Sequence, residues 1–379
     1  MPGKIQSQKL GLLGGGQLGR MLIQSALDLN IDIHVMDPDS EAPCKNIAST
    51  FTIGKLTDFD QVYEFGKDCD ILSIEIENVN TEALQKLQQE GKKVFPQPPV
   101  VALIQNKVKQ KRFYVENGIP TAPFEETAGL ADVVAKRSML PMVNKLATEG
   151  YDGRGVKILK TESDLSEAFD APGLVEHLVD FKAEIAVMVA RNERGDISTF
   201  PAVEMVFHPT ANLVEYLFSP ANISKAVEEE ASEIAKKVIG KLQMVGVLAV
   251  EMFVTHDDQV LVNEIAPRPH NSGHQTIEAN LTSQYQQHLR AIFNFPLGHT
   301  TQIIPAAMVN LLGEEGYTGE AVYKGLKEVM GLEGVYVHLY GKKLTKPFRK
   351  MGHVTVVDQD IARLKDKVQL VKHTLKVIA

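Results

Sequence analysis

Short apolar segments alternate with helix-spaced ones through the first hundred residues, and this alternation is the strongest constraint on the fold. Lys9 to Leu13, Ile31 to Met36, Phe51 to Ile53 and Ile71 to Ile76 have strand length and are rich in Leu, Ile and Val. Between them, Arg20 to Asn30 carries Met21, Leu22, Ser25, Ala26 and Leu29 at helical spacing, and Thr81 to Glu90 reads as a helix. Strands separated by helices pair in parallel, since a parallel connection needs a crossover. The pattern predicts a parallel α/β domain over residues 1–98, closed by the linker Pro96-Gln97-Pro98-Pro99.

A second α/β and α+β region follows over 99–298. It holds a helix around Val101 to Asn117, a strand at Met142 to Lys145, a strand from Leu174 to Val179 that breaks at Asp180, and the apolar run Ile185 to Ala190. Gly298-His299-Thr300 opens a last segment, 299–379, with strands near Ala306 to Leu311, Val335 to Tyr340 and His353 to Val357. With 379 residues, 44% of them hydrophobic and 23% charged, the chain has enough apolar side chains for two or three cores. A formal charge of −8 opposes broad binding to nucleic acid or an anionic membrane. Two distant cysteines, an N-terminus without a signal-type apolar core and the lack of a bilayer-length apolar run predict a cytoplasmic protein.

Gly14-Gly15-Gly16-Gln17-Leu18-Gly19 joins the first strand to the first helix and matches G-x-G-x-x-G, with Asp37 about twenty residues on. That is a dinucleotide-type pattern, but any tight turn that presents helix N–H groups to a phosphate has it too. We read the turn as a phosphate seat for the second substrate; a turn with a structural role only is the alternative, and a nicotinamide enzyme is the rival. Gly150-Tyr151-Asp152-Gly153-Arg154-Gly155-Val156 is a second glycine-rich stretch, which suits a flap over phosphates with Lys145 just before it. Glu176, His177, Leu178 and Val179 are placed to read an adenine edge, and Glu184 to accept from ribose hydroxyls; an ordinary edge strand is the alternative.

The densest chemistry lies further on. Val247 to Val254 and Gln259 to Asn263 read as paired strands around His256-Asp257-Asp258. A four-residue loop would pair Thr255 with Val260 and set Glu251 opposite Glu264. Two carboxylates about 4 Å apart repel by roughly 4 kcal/mol at an effective dielectric near 20. A hard cation removes that repulsion, so the pair predicts Mg²⁺ completed by nucleotide phosphates; a bulge that turns one Glu to solvent is the alternative. After Glu264, Pro267 and Pro269 forbid a regular helix and leave Arg268, His270 and Asn271 in a rigid loop that can converge on a small anion such as a carboxylate or carbonate. His270 and His274 are spaced for zinc only on a helix, which the prolines and Gly273 oppose.

Taken in order, Gly14 to Arg20, Gly150 to Gly155, Asn263 to Arg268 with His270 to His274, and Arg349-Lys350-Met351-Gly352-His353 resemble the N5-carboxyaminoimidazole ribonucleotide synthetase family of the ATP-grasp fold. The resemblance covers nearly the whole chain. It implies an N-terminal pre-ATP-grasp domain, an ATP-grasp domain, a small C-terminal domain and a homodimer. The implied reaction joins bicarbonate to 5-aminoimidazole ribonucleotide with ATP, through carboxyphosphate. ATP would take Lys107, Lys145, Gly150 to Val156, Glu176 to Val179, Glu184, Asn263 and Glu264, with Mg²⁺ on Glu251 and Glu264. Bicarbonate and carboxyphosphate would take Arg268, His270, Asn271 and Lys342. The ribonucleotide would take Gly16, Gln17, Leu18, Glu75, Tyr151, Asp152, Arg154, Lys342, Arg349 and Lys350. Asp152 is the plausible acceptor of the amine proton. Lys107 stands where the family often has Arg, and Val156 where Gln is common, so fine contacts differ. Formate in place of bicarbonate, or a site kept only to sense nucleotide, are the remaining rival readings.

Overall fold

The computed structural model describes residues 8–148, 155–207 and 213–379. Its first sheet is built as the alternation requires. β1 (Leu10–Leu13), β2 (Ile33–Asp37), β3 (Thr50–Ile53), β4 (Ile71–Ile74) and β5 (Lys93–Val94) are all parallel, in the order β3-β2-β1-β4-β5. The turn after β1 leads into α1 (Gln17–Leu27), and α2 (Phe59–Lys67) is a crossover helix between β3 and β4 that the sequence reading left unassigned.

α3 is Thr81–Gln89, and the expected helix at 101–117 is two helices, α4 (Pro98–Ile104) and α5 (Lys107–Glu116). The break falls at Asn106, whose side chain accepts from the Lys109 N–H at 3.0 Å and starts a new helix. This cap sets the direction of α5 and of Lys107 and Lys111 along it.

Two antiparallel sheets follow. A small one runs β6 (Phe124–Thr127), β9 (Gly173–His177), β7 (Met142–Leu146), β8 (Val156–Leu159). A large one runs β15 (Val260–Ala266), β14 (Gly246–Thr255), β10 (Phe181–Arg191), β12 (Val203–Phe207), β13 (Val214–Ser219) and β16 (Ala306–Leu312). It then continues through Lys350–Val357 to Val335–Leu339, while β11 (Ile197–Thr199) pairs with β10. No sheet edge falls at residue 299: the last segment adds its strands to the large sheet through the β13–β16 ladder.

The helix Lys225–Leu242 covers one face of this sheet. Val227, Ala231, Ile234, Ala235, Val238 and Ile239 recur at three- and four-residue steps and pack on Ile185, Val187, Val189 and Val250. On the other face Glu184, Glu251 and Glu264 stand beside buried apolar residues such as Ala186, Met188 and Ala249, and the site lies there.

Candidate active site

Glu251 and Glu264 are direct cross-strand partners. The route to that register differs from the expectation. The hairpin closes one residue tighter, with Asp258 left-handed (φ 67°), Thr255 N–H donating to Gln259 O at 3.0 Å, and Val254 paired with Val260. Asn263 is then an extra residue in β15, so pairing shifts by one and Glu251 again meets Glu264. The bulge that would have turned one Glu away is what joins them.

The two carboxylates differ electrostatically. Lys107 Nζ lies 2.6 Å from Glu264 Oε2, and its charge brings Glu264 down to about 2. Burial first, and then the charges of Glu264 and Glu184, hold Glu251 well above the usual carboxylate range. Glu184 is likewise pushed up to about 7, by burial and then by Glu264. Its partner across β10–β14 is Phe253, two residues from Glu251, so the three carboxylates share one face of the sheet.

Lys145, on β7, joins the small sheet to the large one. Its Nζ donates to Asn263 Oδ1 at 3.0 Å, so the bulged residue is itself a contact in the site. Lys145 and Lys111 also grip the buried Glu176 carboxylate, Lys111 at 2.6 Å. Against the burial that would raise it, these two cations keep Glu176 below its ordinary value, while burial drops Lys111 to about 8. Glu176 is therefore the counter-ion of the lysines. The basic run Lys107, Lys109, Lys111 and Arg112 suggests a solvated helix face with one member entering a site; instead Lys107 and Lys111, four residues apart on one helix face, both reach carboxylates of the site.

β9 is an interior strand, not an edge. Its His177 N–H goes to Pro123 O at 3.1 Å and the next N–H, of Leu178, to Pro141 O at 3.2 Å. Residues 178–180 then cross from the small sheet to the large one, which puts Leu178 and Val179 where the two meet. Gly155 (φ 73°) precedes β8, whose first residue, Val156, pairs with Lys145. Gly150, Tyr151, Asp152, Gly153 and Arg154 lie outside the described residues.

In the loop after β15, Arg268 Nε stands 2.9 Å from Glu77 Oε1, beyond the end of β4. Glu77 was not anticipated, and no local signal marks a partner so far away in sequence. His270 caps the short turn Asn271–Gly273, accepting from Ser272 N–H, and its Nε2 lies 3.5 Å from Glu251 Oε1. The Asn271 and Asn310 amides bond each other reciprocally at 2.9 and 2.8 Å. His274 is buried on the His353 ring, centroids 4.6 Å apart, and His353 stacks on His338 at 4.4 Å. His274 therefore packs in the core of this region while His270 faces the carboxylates.

The glycine turn corrects the phosphate reading. Glu75 accepts from both Gly16 N–H and Gly19 N–H, and Asp37 accepts from Gly15 N–H at 2.6 Å. The donors expected to seat a phosphate are thus filled by carboxylates, and a Cβ on Gly16 would run into Glu75. Asp37 also accepts from Asp39 N–H at 2.7 Å, so the acid of the dinucleotide-type pattern serves the turn itself. Burial, opposed by the Gly19 and Gly16 N–H groups, lifts Glu75 to about 7. Gln17 and Leu18 form the first turn of α1 beside it. The basic groups expected for the ribonucleotide stand on the last segment: Lys342 Nζ donates to Lys350 O and Arg349 Nη1 to Leu344 O, both at 2.8 Å, and the Lys350 charge acts on Glu251.

Two antiparallel sheets that meet over opposed carboxylates and paired lysines define an ATP-grasp protein. Residues 112–285 match the ATP-grasp domain, 7–105 the ribonucleotide synthetase preATP-grasp domain and 306–367 the phosphoribosylaminoimidazole carboxylase C-terminal domain. The N5-carboxyaminoimidazole ribonucleotide synthase of Bacillus subtilis is 37% identical over 92% of this chain and 91% of its own. The crystal structure of the synthetase from Thermotoga maritima superposes with a TM-score of 0.91 at 42% identity, covering 98% of this chain and 99% of that one. That of the Aspergillus clavatus synthase, in complex with ADP and 5-aminoimidazole ribonucleotide, gives 0.88 at 32% identity, covering 97% and 98%. The chain belongs to the N5-carboxyaminoimidazole ribonucleotide synthase family, and is an ATP-grasp ligase.

Proposed function

We propose that this enzyme carboxylates 5-aminoimidazole ribonucleotide in two steps within the cleft that holds Glu251, Glu264, Lys107 and the Arg268 loop. The observation that carries the reading is the opposed Glu251–Glu264 pair with His270 Nε2 3.5 Å from one of its oxygens, so that an acid-binding loop adjoins a cation-type site.

First, a bicarbonate oxygen attacks the γ-phosphorus of ATP and the bond to the β-bridging oxygen breaks, giving ADP and carboxyphosphate. Lys145 supplies fixed positive charge to the phosphates, and Arg268 and His270 orient the acid. Second, the exocyclic amine attacks the carboxyl carbon, phosphate leaves with the bridging oxygen, and the amine proton passes to an acceptor. Asp152, outside the described residues, is our candidate for that acceptor. Asn271 and Lys342 would fix the edge of the acid site. Lys342, Arg349 and Lys350 would take the ribonucleotide phosphate, and Glu75 with Gly16 to Leu18 its sugar and base.

The pair fits Mg²⁺: Glu264 already holds a cation, the Lys107 ammonium, and burial beside two other carboxylates holds Glu251 well above the usual carboxylate range, which a divalent cation would offset. Among the described residues no group of three or more His, Cys, Asp or Glu side chains could hold a metal alone, which fits an ion that draws its other ligands from phosphates and water. Bound there, Mg²⁺ would neutralise charge on the transferring phosphoryl group.

We further propose the division 1–98, 99–298 and 299–379, a homodimer, and a cytoplasmic location. Both cysteines are buried and free, as a reducing compartment allows. The test is ADP release with Mg-ATP and bicarbonate, with and without the ribonucleotide. Release should need the ribonucleotide and fall more than about a hundredfold in Glu264→Gln. Equal release from both proteins would sink the assignment.

A further inference from the structure

Gln284 is fully buried at the first position of the helix Gln284–Ile292, fourteen residues beyond the histidine whose backbone it holds. Its Oε1 accepts from His270 N–H at 2.8 Å and its Nε2 donates to His270 O at 2.7 Å, so one side-chain amide pairs with both polar groups of a single residue. The remaining Nε2 proton lies toward His274 Nδ1 at 3.2 Å, and the Tyr285 hydroxyl stands 3.1 Å from the same nitrogen. The amide has no donor left over. A methyl or amine of the same size could not make this set of contacts.

Further contacts hold the same stretch. Gln284 N–H donates to Thr276 Oγ at 2.9 Å, and that hydroxyl donates to Gly273 O at 2.5 Å. Gly273 lies against the amide, where a Cβ would stand 2.5 Å from Oε1 and 2.6 Å from Cδ, so only glycine lets the amide seat against the loop. Ser283 caps the helix through a capping box with Gln286, which fixes the helix end from which Gln284 projects. The loop carrying His270 has prolines before it and no regular ladder, so its geometry depends on such side-chain bonds.

We infer that Gln284, seated against Gly273, is a positioning residue for the acid site: it fixes the His270 backbone and thereby the place of the His270 ring beside Glu251. The inference rests on the reading of His270 as part of the bicarbonate site. Gln284 touches no reacting atom. Its loss should therefore weaken the grip on the small acid and leave the Lys107–Glu264 and Lys145–Glu176 contacts of the nucleotide site as they were.

The experiment compares wild type, Gln284→Met, Gly273→Ala and His270→Asn, all as the full chain. It measures the KM for bicarbonate at saturating Mg-ATP and ribonucleotide, and the Kd for Mg-ATP by calorimetry. Gln284→Met should raise the bicarbonate KM about tenfold, with the ATP Kd within about twofold. Gly273→Ala should do the same by displacing the amide, and it decides the matter by the same criteria where Gln284→Met does not fold. An unchanged bicarbonate KM in a folded variant overturns the inference, as does a parallel loss of ATP and bicarbonate affinity, which marks a general structural role. If His270→Asn raises the bicarbonate KM and the Gln284 and Gly273 variants do not, only the role of Gln284 fails. If the wild type shows no bicarbonate dependence, or His270→Asn keeps the wild-type KM, the acid-site reading fails and takes the inference with it.

Discussion

Glu251 and Glu264 face each other across the β14–β15 ladder because Asn263 is one residue more than the ladder needs. The bulge does two things at once. It restores the opposition that a tight three-residue turn would have removed, and it sends the Asn263 side chain to Lys145. A bulge beside a site that re-aims a side chain is a common device. Here it joins the two sheets at the point where charge is densest.

Burial and its two neighbouring carboxylates oppose ionisation of Glu251 and hold it well above the usual carboxylate range. Glu251→Gln, which keeps shape and removes the charge that burial and those carboxylates oppose, should thus leave the thermal midpoint without ligands unchanged or raised at pH 8. Ribonucleotide-dependent ADP release should fall by more than about a hundredfold, because an amide cannot act as an anionic ligand for the cation. Thermal melts and turnover of one preparation check both; a variant that unfolds early without ligands would show that Glu251 is ionised in the folded protein.

The sequence displayed the parts of this site better than their connections. The apolar runs at β1, β2 and β4 and the glycines at 14, 16 and 19 mark a strand-turn-helix plainly. That Glu75, more than fifty residues on, would occupy the turn's N–H groups is a tertiary fact with no local trace. The opposition of Glu251 and Glu264 was foreseen from a loop counted one residue too long, and the bulge supplied the missing residue. The break at Asn106 was legible in principle, since Asn is a strong cap, but helical spacing on both sides obscured it. The same holds for the helix Lys225–Leu242, whose apolar positions repeat every three to four residues. Glu77, Gln284 and the His274–His353–His338 stack come together from distant segments, and only the folded chain shows them as neighbours.

Glu184 gives a pH signature. Its folded-state pKa is about 7 against an ordinary 4.5, through burial first and Glu264 second. A carboxyl raised on folding contributes stability that is fully present below about 4.5 and is lost as pH rises through about 7. The difference in melting temperature between Glu184→Gln and wild type should therefore move in favour of the variant from pH 5 to pH 8. Comparing the two proteins cancels the opposing contributions of the buried histidines, which both share. A difference that stays constant across this range would contradict the raised pKa.

The most direct test of the central claim follows one oxygen atom. If carboxyphosphate forms in this cleft, the bicarbonate oxygen that attacks the γ-phosphorus becomes the bridge and departs with phosphate when the amine takes the carboxyl carbon. Turnover with ¹⁸O-labelled bicarbonate, ATP and 5-aminoimidazole ribonucleotide should yield inorganic phosphate carrying one ¹⁸O atom, read by mass spectrometry before the label washes into water. Phosphate free of label, formed while the ribonucleotide is carboxylated, would contradict the account.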